Sequence, residues 1–412
     1  MFFFLRNIFS VRMEEVFFGA PIRRILDMKI NKKIMSIALI SMMLTSAIGC
    51  GKAPEEDANT TEEGLSWESI EGESTEEPAE EEPVEEEVVS AEVPEGMYLS
   101  ELTGTPIDEA LKDQRPIAVM VDNESIALPH YGIAEADVVY EMMNSTQNGR
   151  ITRLMCLVKD WGKIEQMGSI RSTRPTNIIL AAEWNAVLCH DGGPAVHINP
   201  YLAKDWGTNH FSGTFSRVDN GKSREYTEYI LSGDMESNFS GSNFSQTYNE
   251  FTPEGVKDNH FNFTTWGNEV KLEDKGYAKC LDATTIDIIP FGHNESKLVY
   301  NEETKEYEYY EYGKAHLDAE DSQPLSFKNV ILQKCTFNQL DDHGYLIYNC
   351  IDINQPGYYC TNGKATDIVW TKVGELNKTQ FFDSQANELE INNGKTYIAL
   401  VPADTWDQLV IQ

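Results

Sequence analysis

Between Gly51 and Met97 the chain is written almost entirely in Glu, Pro, Ser, Thr, Gly and Ala, and only Leu65, Trp67, Ile70 and a few valines there could pack. Such a stretch cannot bury enough apolar surface to offset the entropy of ordering it. It reads as a disordered acidic tether over 51–97, so the fold must be built from the residues that follow. An uncharged coil of this length spans roughly 40 Å root-mean-square, and repulsion among the glutamates extends it further.

The residues before the tether say where such a chain works. Lys29, Lys32 and Lys33 precede an uncharged run from Ile34 to Leu44, followed by Ala47-Ile48-Gly49-Cys50. The run is shorter than the ~20 residues a spanning helix needs, and small residues lead up to the cysteine, as in a cleaved export signal. Residues 1–50 therefore read as a lipoprotein signal peptide in which the Cys50 thiol takes a diacylglycerol and becomes the mature N-terminus, with Ala47 where Leu is usual. Two or three acyl chains on one residue anchor stably, whereas one does not. The expected location is the extracytoplasmic face of the membrane. Residues 1–27 lie upstream of a complete signal and carry Glu14 and Glu15; they read as the product of a misassigned start.

Charge narrows the partners. The chain holds 33 Lys and Arg against 67 Asp and Glu, a net −34, and the tether accounts for only part of the excess. A body this anionic is repelled by phosphate backbones, so nucleic acid is not an expected partner. Six cysteines remain beyond Cys50: Cys156, Cys189, Cys280, Cys335, Cys350 and Cys360. Their spacing selects no disulfide pattern; Cys156 and Cys189 sit in apolar runs typical of buried thiols. No Cys-x-x-Cys or His-x-x-x-His occurs, so no metal site is expected, and no cofactor either.

About 315 residues follow the tether, more than one core usually serves. Ser, Asn, Gly and Pro cluster around 239–255, which places a boundary between a first body at 98–245 and a second at 246–412. The first body mixes signals. Ile117–Val121, Val138–Tyr140 and Ile151–Val158 read as buried strands, Asn177–Ala186 as a helix behind Pro175, and Ala186–Cys189 as another strand. The second reads as β-rich, with strands near 284–291, 298–300, 307–312, 329–332, 346–349 and 368–370, and tight hairpin turns at Asn362-Gly363 and Asn393-Gly394. Alternating Tyr and Glu at 306–312 predict one packed and one wet face. The expected class is an N-terminal mixed α/β domain followed by a β-rich C-terminal domain.

The strongest chemical signal is Gly168-Ser-Ile-Arg-Ser-Thr-Arg-Pro175 ahead of the helix. Ser172 or Thr173 can cap the helix, while Arg171 and Arg174 stand where the helix dipole is already positive. That is unfavourable unless an anion is near. Two readings stand: an external carboxylate or phosphate, or an internal pair with Asp122, Glu141 or Asp191. His190-Asp-Gly-Gly193 follows a strand end, where ligands of α/β sheets gather, and Gly192 and Gly193 allow close approach. His190 and Glu141 are the candidate acid/base residues, and no Gly-x-Ser-x-Gly elbow accompanies Ser172. His316 and Asp318 read as a solvent-side pair beside a turn.

Taken together, Arg115-Pro-Ile-Ala-Val-Met-Val-Asp-Asn123, Gly132-Ile-Ala-Glu-Ala-Asp-Val-Val-Tyr-Glu141, Ile151-Thr-Arg-Leu154, the 168–175 and 190–193 motifs, Gly313-Lys-Ala-His-Leu-Asp318, Ile368-Val-Trp-Thr-Lys372 and Gly394-Lys-Thr-Tyr-Ile398 resemble the DUF3048 family of YerB-like lipoproteins from Gram-positive bacteria. The resemblance implies an exported, lipid-anchored, two-part protein and transfers no activity. The expected function is a binding or scaffolding lipoprotein of the cell envelope. Its pocket would be formed by Asp122, Asn123, Glu141, Arg153, Arg171, Ser172, Arg174, His190, Gly192 and Gly193, for an anionic wall ligand or an envelope protein. The alternative is an envelope enzyme, a hydrolase or transferase acting on wall glycan or peptide.

Overall fold

The computed structural model describes residues 91–207 and 209–412. Cys50, the signal peptide and most of the tether lie outside the described residues. The last tether residues do not: the Ala91 amide donates to the Trp266 carbonyl at 3.0 Å, and Met97–Leu99 pairs with Pro106–Asp108. The folded body therefore reaches back to at least residue 91, because backbone pairing overrides the polar composition there.

One large mixed sheet organises the molecule. Its strands in chain order are β1 (Ile117–Asp122), β2 (Val138–Met143), β3 (Thr152–Val158), β4 (Val187–His190), β5 (His210–Ser212), β6 (Leu281–Asp282), β7 (Asn329–Cys335), β8 (Gln355–Thr361), β9 (Lys364–Thr371), β10 (Gln380–Phe382) and β11 (Thr396–Pro402). The spatial order is β6-β9-β8-β7-β11-β2-β3-β1-β4-β5, with β10 on the flank of β9. β1, β2, β3 and β11 are buried at every position. Their near-continuous apolar runs are what strands covered on both faces require. The Asn362-Gly363 turn joins β8 to β9 with both residues at positive φ, as a tight hairpin demands.

The sheet continues across the boundary expected near 245: β11 lies parallel to β2, with Tyr397 opposite Val139 and Ala399 opposite Glu141. The mixed α/β half and the β-rich half thus share one hydrogen-bonded layer. Asn393-Gly394 is a turn but not a hairpin, since β11 pairs in parallel with β7 and β2. A smaller sheet, including Thr285–Asp287, Lys297–Asn301 and Glu306–Glu311, packs on the large one through Tyr309 and Phe327 against Tyr397, at 5.8 and 5.4 Å between ring centres.

Helix α1 (Pro175–Glu183) is buried along its whole length and packs on β4, α2 (Ala195–Leu202) and the strand Leu346–Tyr348. Pro175 opens it with a preset φ. Neither Ser172 nor Thr173 caps it. Arg174 takes the cap position, and its backbone N–H donates to Asn177 Oδ1 at 3.0 Å. Among the described residues no helix is long and apolar enough to cross a membrane. All six cysteines there are free thiols, and all but Cys280 are buried.

Candidate functional site

Asp122 ends β1 directly opposite Arg153 at the start of β3. The 168–175 segment runs as a strap past these strand ends. It is tied to β1 by Asp122 N to Ser169 O and Arg171 N to Met120 O, and to the exit of β4 by Asp191 N to Arg171 O and Thr173 N to Gly192 O, all 2.9–3.1 Å. This backbone pairing delivers Arg171, Ser172 and Arg174 to one point.

The Asp122 carboxylate is fully buried and holds two of the three guanidiniums. Oδ2 lies 2.6 Å from Arg171 Nε, and Oδ1 lies 3.5 Å from Arg153 Nη2. Burial pushes its pKa up, but Arg153 and Arg171 more than offset that and hold it below the ordinary range. Arg153 Nη1 also donates to Asn144 Oδ1 at 3.1 Å and to the Ser172 carbonyl at 2.9 Å. Arg171 reaches outward to the exposed Glu225, 3.0 Å away.

Arg174 differs. It is 5% exposed, donates to the Asn144 and Thr173 carbonyls at 3.2 and 2.8 Å and lies 4.3 Å over the Tyr345 ring. Among the described residues no carboxylate lies within ion-pair distance of it. Burial, with Arg153 and Arg171 nearby, pushes its pKa down to about 9. The three guanidiniums line a polar cleft of about 450 Å³ together with Asn144, Ser172, Tyr345, Glu124 and Asp342. Asp122 and Glu225 pair with Arg153 and Arg171, and Glu124 and Asp342 stand on the same wall, so the guanidinium left without a carboxylate at ion-pair distance among the described residues is that of Arg174.

Of the residues singled out in the sequence, Asp122, Arg153, Arg171, Ser172 and Arg174 come together here. The others do not. Glu141 is fully buried on β2 and accepts from Thr152 Oγ1 and Ser296 Oγ at 2.6 Å, and from Tyr309 and Tyr397 hydroxyls at 3.0 and 2.5 Å. Asn123 joins that network, donating to Thr152 Oγ1 at 2.9 Å. Gly193 serves backbone approach, since a Cβ there would lie 2.9 Å from the Thr173 carbonyl oxygen and 2.7 Å from Ile198, whereas Gly192 has open space around it and supplies a left-handed φ of 68°. His316 and Asp318 are buried rather than solvent-facing, and Asp318 accepts the Gly132 and Ala134 amides at 3.1 and 2.9 Å. Asn144 and Tyr345 were missed. Asn144 follows β2 directly, where extending that strand would have pointed to it; Tyr345 arrives from a distant loop and has no local signal.

His190 is buried behind the strap. Nδ1 donates to the Gly192 carbonyl at 2.8 Å, leaving Nε2 to face His210 Nδ1 at 3.0 Å. Burial pushes its pKa down to about 4, against about 6.5 in an unfolded chain. The unfolded state then binds the proton first, so stability is full above pH 6.5 and falls as pH drops from 6.5 towards 4, by up to about 3 kcal/mol. Burial holds His130 and His316 down to about 4 as well, so denaturant midpoints across that window should show a slope to which all three contribute, and His190→Asn should reduce it by about one proton's share; an unchanged slope in the variant would place the titration elsewhere.

The architecture and the cleft define a class: a mixed α/β half and a β-rich half sharing one sheet, with an arginine cluster at the strand ends. The N-terminal domain of DUF3048, described as a protein of unknown function, matches residues 102–245, and its C-terminal domain matches residues 287–398. Together they cover more than half of the sequence, and the chain belongs to the DUF3048 family. It is 23% identical over 318 residues to "Putative lipoprotein YerB" of Bacillus subtilis, covering 75% of this chain and 85% of that protein. The crystal structure of the YerB protein from Bacillus subtilis superposes with a TM-score of 0.62 at 19% identity, over 76% of this chain and 99% of the other. That similarity bears on the fold.

Proposed function

We propose that this protein is a lipid-anchored binding protein of the cell envelope whose arginine cleft receives an anionic group, a phosphate or carboxylate, carried by a wall ligand or envelope protein. Anchoring through Cys50 is supported by the signal-like segment at 28–50 and by the lipoprotein in the name of the Bacillus relative. The tether would hold the body away from the membrane. The observation that carries the binding reading is Arg174: a buried guanidinium with no carboxylate partner among the described residues, aimed with Arg153 and Arg171 into one polar cleft. An incoming oxyanion would complete charge-assisted hydrogen bonds there and relieve the repulsion among the three cations. The enzyme reading draws no support from the geometry, because both candidate acid/base residues, Glu141 and His190, are buried and committed to internal hydrogen bonds.

Calorimetric titration of the full chain with inorganic phosphate should show one saturable site. Arg174→Ala should weaken it by roughly 10–100-fold, the worth of a hydrogen bond to a charged group, while Arg174→Lys should recover part of the loss. Equal affinity in wild type and Arg174→Ala would remove the cleft from consideration.

A further inference from the structure

A second cluster lies on the far side of the segment that follows β1. His130, at the end of that segment, meets Glu311, the last residue of the strand Glu306–Glu311, and His316, just beyond the hairpin that follows it. All three are buried, at 0%, 3% and 4% exposure. One ligand-type atom from each lies within 4.8 Å of the other two. Each side chain has one polar atom engaged: His130 Nε2 with the Asp122 carbonyl at 2.5 Å, and His316 Nδ1 with Glu311 Oε1 at 2.7 Å. The remaining atoms, His130 Nδ1, Glu311 Oε2 and His316 Nε2, are buried with no hydrogen-bond partner among the described residues.

Buried polar atoms left unpaired are rare, and each destabilises the fold. His130 Nδ1 and Glu311 Oε2 are both of ligand type and lie in one buried cluster with the His316 ring, which calls for a common explanation. An imidazole that donates one nitrogen to a carbonyl or carboxylate and presents the other as a lone pair is the arrangement in which histidine ligates a metal, the hydrogen bond fixing tautomer and ring orientation. His130 shows it; at His316 the nitrogen that faces Glu311 is Nδ1, and that nitrogen, on giving up its proton, is the one that can share a metal with the carboxylate.

We infer that His130, Glu311 and His316 form a binding site for a divalent first-row transition metal, with zinc the best fit to two imidazoles and one carboxylate. Three protein ligands leave a fourth position for water or an exogenous ligand. That position has room: Glu311 and His316 form part of the wall of a pocket of about 420 Å³ that also includes Leu128, Pro129, Tyr312 and Leu317. Ligand bonds of about 2.1 Å at tetrahedral angles put ligand atoms about 3.4 Å apart, between the 2.7 Å that separates His316 Nδ1 from Glu311 Oε1 and the 4.8 Å that bounds the set. The absence of a Cys-x-x-Cys or His-x-x-x-His motif does not bear on this set, because its members come from segments brought together only by folding. The site stands apart from the anion cleft, sharing with it only Asp122, whose side chain serves one and whose carbonyl serves the other.

The test is metal uptake by the chelator-treated full chain. One equivalent of Zn²⁺ should bind and raise the melting temperature, and Co²⁺ in its place should give the visible absorption of a four-coordinate nitrogen and oxygen site. Glu311→Gln, which keeps the shape of the side chain, and His316→Ala should each weaken uptake by more than about 100-fold and abolish both the thermal shift and the cobalt spectrum. No stoichiometric uptake by the wild type would overturn the assignment, as would tight binding that persists in Glu311→Gln. The wild-type thermal shift and cobalt spectrum decide the matter even if His316→Ala does not fold.

Discussion

Lys372→Met is expected to destabilise the protein by about 3–5 kcal/mol, the cost of leaving one member of a buried ion pair without its partner. Lys372 Nζ lies 2.8 Å from Glu183 Oε2, and both side chains are fully excluded from solvent. Glu183 ends α1 in the first half of the chain, and Lys372 follows β9 in the second. The carboxylate also takes hydrogen bonds from His260 Nε2 at 3.0 Å and Thr379 Oγ1 at 2.9 Å. Burial pushes the Glu183 pKa up, yet Lys372 and His260 override it and hold it at about 2. A carboxylate with a depressed folded pKa stabilises above its unfolded value near 4.3, and that contribution is lost as pH falls towards 2. In Lys372→Met the carboxylate must stay charged without its cation or take up a proton. Chemical denaturation at neutral pH measures the loss. The double variant Glu183→Gln/Lys372→Met should be less destabilised than the two single losses added together, since the orphaned charge is gone. Strict additivity would mean the pair is not coupled.

The second large effect is at Glu141. Glu141→Leu leaves the hydroxyls of Thr152, Ser296, Tyr309 and Tyr397 buried around an apolar side chain. At about 1–3 kcal/mol for each unsatisfied group that cannot find another partner, a loss of about 4 kcal/mol or more follows. Glu141→Gln keeps one acceptor and should cost less. Burial raises the Glu141 pKa, and the donated hydrogen bonds from Ser296, Thr152 and Tyr397 oppose the rise. Because these donors come from both halves of the chain, the effect should appear as a single cooperative shift of the denaturation midpoint. Phosphate affinity of the folded Glu141→Gln protein should match wild type; a loss of binding without a loss of stability would instead return Glu141 to the functional site.

The sequence was informative wherever the physics is local. Continuous apolar runs marked β1, β2 and β3, Pro175 marked the start of α1 to within two residues, and Asn362-Gly363 marked a true hairpin. The arginines at 171 and 174 stood out because their sign is wrong for a helix start. What stayed hidden depends on non-local pairing. Glu141 has the composition of a catalytic acid, but its hydroxyl partners at 296, 309 and 397 are far away in sequence. The shared sheet was equally hidden, since no residue near 245 records that β11 will lie beside β2. Period-two register at 306–312 carries the buried face from Tyr307 and Tyr309 on to Glu311, and a buried glutamate beside a histidine motif is a signal in itself. His316 and Asp318 read as a solvent-side pair beside a turn; in the structure both are buried, and Asp318 turns inward to cap two backbone amides.

The central claim is that Arg153, Arg171 and Arg174 together present an anion site. The most direct measurement follows the side-chain Nε–H resonances of these three arginines in the ¹⁵N-labelled full chain during titration with inorganic phosphate. The account predicts that all three shift along one common saturating curve, with Arg174 moving most because no carboxylate holds it beforehand. If Arg174 stays still while exposed cations drift without saturation, the cleft binds no anion and its charge is only structural.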